Sequence, residues 1–127
     1  MSMCRHLYTL IVVLFSLGPV SAARADNGHY LLKECGDIVH YLDTGEWRDT
    51  TVGGSYCLGM VNGMMNLNFI YQSQLGNQAL FCLPESTIVN AEAARVVVSY
   101  LKRHPEQLDS DQGSLMFFAF RERYPCQ

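Results

Sequence analysis

The sequence predicts an all-α domain of four helices stapled by two disulfides. Three observations predict it. Apolar residues in two segments recur at spacings of three and four, the signature of one helical face. A third, longer apolar segment alternates poorly as a strand. Four cysteines follow an export-type N-terminus, at long spacings and without a CxxC pair. Such cysteines in a small exported domain read as a disulfide framework.

The N-terminus sets the compartment. MSMCRHLYTLIVVLFSLGPVSAARA carries Arg5 and His6, then an apolar run from Leu7 to Val20, then small residues. This is the layout of a secretory signal peptide, with cleavage expected after Ala22 or Ala25. The run is about 14 residues long, whereas a membrane span needs about 20. The expected organisation is a leader over 1–25 and a single domain over 26–127, released into the periplasm. Cys4 leaves with the leader, so Cys35, Cys57, Cys82 and Cys126 remain. Four cysteines allow three pairings, and their spacing does not choose among them. An up-and-down course of the helices would put Cys82 and Cys126 at one end, leaving Cys35 for Cys57.

The first helix is expected over Tyr30 to Leu42, where Leu31, Cys35, Ile38 and Leu42 share a face. Asp26 and Asn27 are its candidate caps. Asp43 to Gly54 reads as a loop, with Trp47 packed over the core edge. Ser55 to Leu75 is the long second helix. Gly59 and Gly63 lie on one face of it and suggest a close helix crossing. Met60, Met64 and Met65 read as core. Asn62, Asn66 and Asn68 point to water or a partner.

FCLPES, Phe81 to Ser86, leads into the third helix, capped by Ser86 or Thr87. Ile88, Ala91, Ala94, Val98 and Leu101 form its buried stripe. Lys102, Arg103 and His104 suit its C-terminal end, and Pro105 stops it. The linker His104 to Gly113 is polar and longer than a tight hairpin needs, so it is expected to protrude. SLMFFAFRERY is read as the fourth helix, with Leu115, Phe118, Ala119 and Glu122 on one face. Pro125 and Cys126 close the chain.

Residues 26–127 hold seven Lys and Arg against twelve Asp and Glu, a net charge of −5. Such a balance disfavours nucleic acid and anionic lipid and suits a protein partner. His29, His40 and His104 stand in no nucleophile motif, and no ligand cluster appears. No catalytic residue, metal or cofactor is therefore expected, and the chain does not read as an enzyme.

YCLGMVNG (Tyr56 to Gly63), FCLPES, VVVSYLKRHPE (Val96 to Glu106) and RYPC (Arg123 to Cys126) occur in this order. Together they resemble the Rap/Tai family of small periplasmic immunity proteins. The resemblance covers Leu31 to Cys126. It implies a homodimeric helical protein that blocks a peptidoglycan amidase delivered by type VI secretion. It also implies that a loop between the last two long helices enters the amidase's active-site groove. Here that loop holds Pro105, Glu106, Gln107, Leu108, Asp109, Ser110, Asp111 and Gln112. Shortening Gln107 to Gln112 is expected to abolish protection and leave the thermal melt nearly unchanged. The competing expectation is a periplasmic stress chaperone, which would expose its methionines and phenylalanines at low pH.

Overall fold

The computed structural model describes residues 27–48 and 51–127. The expected leader, its cleavage sites and the Asp26 cap lie outside the described residues. The described residues form four α-helices, two short 3-10 turns and no strand.

Helix α1 runs Gly28–Thr44. The Asn27 side chain accepts from the amides of His29 and Tyr30 at 3.2 and 3.4 Å, satisfying two orphan donors of the first turn. Gly45, at φ 77°, closes the other end by donating its amide to the Tyr41 carbonyl. Leu31, Cys35 and Ile38 are buried, as the period predicts. Leu42, expected on the same face, is exposed. Trp47 stacks on Tyr41, with ring centroids 3.9 Å apart.

Helix α2 runs Thr51–Leu75, so its first turn includes the glycines assigned to the preceding loop. Gly53 and Gly54 are there for clearance. A Cβ on Gly53 would fall 1.2 Å from Glu34 Oε2, and one on Gly54 would fall 3.1 Å from Ile38 Cδ1. The close approach between α1 and α2 is therefore made at this pair. Gly59 and Gly63, the expected crossing pair, are exposed, and a Cβ on either would meet nothing within 4 Å. Met60, Met64 and Met65 are half-buried against the core, as expected.

Asn62 and Asn66 are exposed, but Asn68 is fully buried, against expectation. Its side chain replaces a strand partner for the FCLPES backbone. Nδ2 donates to the Phe81 carbonyl at 2.7 Å, and Oδ1 accepts from the Phe81 amide at 3.3 Å. Gln72, one turn on, does the same for Leu83, at 3.0 and 2.9 Å. The buried Phe81 and half-buried Leu83 have no helix or ladder partner for these groups, and the two side-chain amides satisfy them.

Helix α3 runs Asn90–Arg103, starting later than Ser86 or Thr87 would set it. Its cap position is Val89, which makes no side-chain cap bond. Ala93, Ala94, Val97, Val98, Tyr100 and Leu101 are buried, while Ala91 and Ile88 are half-buried. Helix α4 runs Gln112–Arg123. It buries Leu115, Met116, Ala119 and Phe120, whereas Phe118 and Glu122, grouped with Leu115 and Ala119 on one face, are exposed. The buried seam follows 115, 116, 119 and 120, a spacing that the consecutive aromatics of MFFAF disguise in the sequence.

Helix α1 packs on α2 and α3, and α3 on α4. Phe81 and Phe120 meet at the core centre, 5.3 Å apart. The cysteines pair in chain order. Cys35 joins Cys57 across α1 and α2, and Cys82 joins Cys126, with Cα atoms 5.1 and 4.9 Å apart. The Cys82 amide also donates to the Tyr124 carbonyl at 2.9 Å. Each bridge closes a long loop of the unfolded chain, a contribution of about 3 to 4 kcal/mol in the chain-entropy model.

Candidate partner-binding site

The connection from α3 to α4 begins at His104, whose amide donates to the carbonyls of Tyr100 and Leu101. Pro105 cannot continue the helix and opens a 3-10 turn over Pro105–Gln107. Successive bonds from Gln107 to His104, Leu108 to Pro105 and Ser110 to Gln107 keep the backbone tightly wound.

This segment is fastened to the bundle at several points. Leu108 is buried. Tyr100 donates its hydroxyl to Gln107 Oε1 at 2.9 Å. Burial first, and then nearby Glu122, push that hydroxyl above its ordinary value, so it stays a donor. The Gly28 amide donates to the Ser110 carbonyl at 3.1 Å, and Asn27 and Asp111 form an isolated antiparallel bridge. A Cβ on Gly28 would lie 2.9 Å from the Leu108 backbone and 2.4 Å from Leu115 Cδ1, so only glycine lets α1 approach this closely. Gln112 Nε2 bonds the Tyr56 hydroxyl, and Tyr56 meets the Tyr30 ring edge-on at 5.4 Å. The segment protrudes less than its length suggests, because its one leucine anchors it.

The expected partner-binding residues therefore divide. Pro105, Glu106, Asp109, Ser110 and Asp111 are exposed, whereas Leu108 is buried and Gln107 and Gln112 are half-buried. The three acids differ in setting. Glu106 lies 3.3 Å from His104 Nδ1. Its own backbone amide first, and His104 after it, hold the carboxyl below its ordinary range. Asp109 lies 3.3 Å from His29 Nε2, with a side chain 94% exposed. Asp111 caps α4, its Oδ1 accepting from the Ser114 amide at 2.9 Å. Ser114, through hydroxyl and then amide, lowers its carboxyl below the usual range. Behind the segment, Arg103 bonds Glu122 at 2.5 Å and Ser99 at 2.6 Å, bracing α3 against α4.

The sequence did not point to Asn27, Gly28 and His29 as the support for this surface. Its available signal was Leu108, a lone apolar residue in a polar run. Among the described residues, no group of three His, Cys, Asp or Glu is placed to hold a metal ion. No described helix is long and apolar enough to cross a membrane.

The arrangement is a pinned backbone carrying outward carboxylates, a form suited to docking against another protein. The family model of the Rap1a immunity proteins matches residues 27–126. The chain belongs to this family. The match spans all four helices and all four cysteines of the domain, and it includes the whole α3–α4 connection. No curated protein and no solved structure matches the chain. An immunity protein acts by binding a protein partner, and membership in the Rap1a family suggests a binding protein in place of an enzyme.

Proposed function

We propose that this chain is exported to the periplasm and inhibits a peptidoglycan amidase delivered by type VI secretion, protecting the producer and its siblings. The family match over residues 27–126 carries the reading. The α3–α4 connection is the inhibitory element, with Glu106 and Asp109 meeting the amidase and Leu108 holding the backbone in place. A surface fixed before binding loses little entropy on association, which favours tight inhibition. The working unit is a homodimer.

Deleting Gln107–Gln112 is a poor test, because it removes the buried Leu108 and the Asp111 cap together. The cleaner test is the double substitution Glu106→Lys and Asp109→Lys, at two exposed positions. Inhibition of the cognate amidase by the oxidised domain is expected to weaken at least about tenfold, with the thermal melt unchanged. Unaltered inhibition by this variant would show that the connection is not the inhibitory element.

A further inference from the structure

The two disulfides stand in opposite surroundings. Cys35 and Cys57, joined between α1 and α2, are each 0% exposed. Cys82 and Cys126 are both half-buried. Surface grooves reach this second bond from two sides. One is lined by Ala79, Arg121 and Cys126, and the other by Cys82, Arg123 and Tyr124. Each groove thus carries an exposed arginine beside a bonded cysteine, in a domain of net charge −5.

We infer that Cys82–Cys126 is a redox modification site, which a dithiol reduces while the domain stays folded. Cys35–Cys57 reacts only after the domain opens. Thiol–disulfide exchange needs a thiolate in contact with a sulfur. A bond with no exposed surface must wait for an unfolding event, and a bond at a groove need not. The arginines favour the exchange, because both the attacking and the departing sulfur are anionic.

The chain around Cys82 and Cys126 is also held by contacts that reduction leaves intact. Asn68 and Gln72 keep the backbone of Phe81 and Leu83. The Cys82 amide keeps the Tyr124 carbonyl at 2.9 Å, and Asn77 Nδ2 donates to the Gln127 carbonyl at 2.8 Å. Cys126 Sγ lies 3.7 Å from the Ala79 carbonyl, which can accept from the thiol once the bond is broken.

In the exchange, one thiolate of the dithiol attacks Cys126 Sγ and forms a mixed disulfide. The bond to Cys82 breaks, and Cys82 leaves as a thiolate that takes up a proton. The second thiol of the reagent then loses its proton and attacks the reagent's first sulfur. Cys126 is released and protonated. The reagent departs as a cyclic disulfide, and two electrons have passed to the protein.

The test is limited reduction of the oxidised protein with dithiothreitol, followed by timed alkylation and peptide mapping of the four cysteines. Cys82 and Cys126 are expected to be alkylated together, at least about tenfold faster than Cys35 and Cys57. The helical circular dichroism is expected to persist through this first step. Urea below the unfolding transition separates the two routes, because only a reaction that passes through unfolding gains steeply from it. With about 1.5 M urea added, reduction of Cys35–Cys57 should rise about tenfold and that of Cys82–Cys126 less than about twofold. Equal rates for the two bonds overturn the inference. So does a loss of helicity in step with the first alkylation, or a Cys82–Cys126 rate that climbs with urea as the other does.

Discussion

The first turn of α2 and its middle each carry a pair of glycines, and the two pairs have opposite surroundings. Gly53 and Gly54 are buried against Glu34 and Ile38, while Gly59 and Gly63 face open space. The asparagines divide in the same way. Asn68 is sealed inside on the Phe81 backbone, and Asn66, two residues earlier, is exposed. Residue type does not separate these roles. Position around the helix does, because 100° per residue sends near neighbours to different environments.

The strongest way to break this contrast is Gly53→Val. The branched side chain must displace the buried Glu34 carboxylate, and overpacking of this kind costs about 3 kcal/mol. In a domain of this size that lowers the melting temperature by roughly 15 °C. A melt within a few degrees of the parent would show that the turn has room. Next comes Asn68→Ala. It leaves the buried Phe81 amide and carbonyl unpaired, a loss of about 2 kcal/mol, whereas Asn66→Ala stays within about 0.5 kcal/mol. Urea titrations of the pair measure the difference directly.

Asp111 extends the contrast to a polar group whose contribution depends on pH. Its folded-state carboxyl is lowered, so the stability it gives is fully present above the ordinary aspartate value and is lost as pH falls through the lowered one. Asp111→Ala is expected to cost about 1 kcal/mol at neutral pH. That deficit should shrink in strongly acidic buffer, and a deficit independent of pH would mean that the cap is not the cause. The smallest effect belongs to the open glycines. Gly59→Ala and Gly63→Ala each gain up to about 0.8 kcal/mol in dilute solution, from helix propensity alone. A loss at either position would place a neighbour where open space is described.

These contrasts also explain what the sequence could and could not reveal. The helices of α1 and α3 were legible because aliphatic residues alternate with charged ones at helical spacing. The four cysteines were legible as staples from the expected leader and the absence of CxxC. The inward face of α2 was not, because glycine, methionine and asparagine give little amphipathic contrast. In α4, three phenylalanines among five residues blurred the seam, and Phe118 was grouped on one face with Leu115 and Ala119, which are buried while it is exposed. The start of α3 was misplaced because Ser86 and Thr87 look like caps, although the helix begins only at Asn90, after an extended Val89. At the candidate site, the position of the connection and its outward acids were readable. Its attachment was not, since Gly28 and Leu108 lie 80 residues apart and nothing local links them.

The cysteines of the domain pair first with second and third with fourth. That order matters while the protein is being made. An oxidant that joins each new cysteine of the domain to the last unpaired one would form both native bonds without rearrangement. The first bond is available once the N-terminal half has emerged. The second waits for Cys126, 44 residues after Cys82, so a chain cut before Cys126 loses that bond entirely.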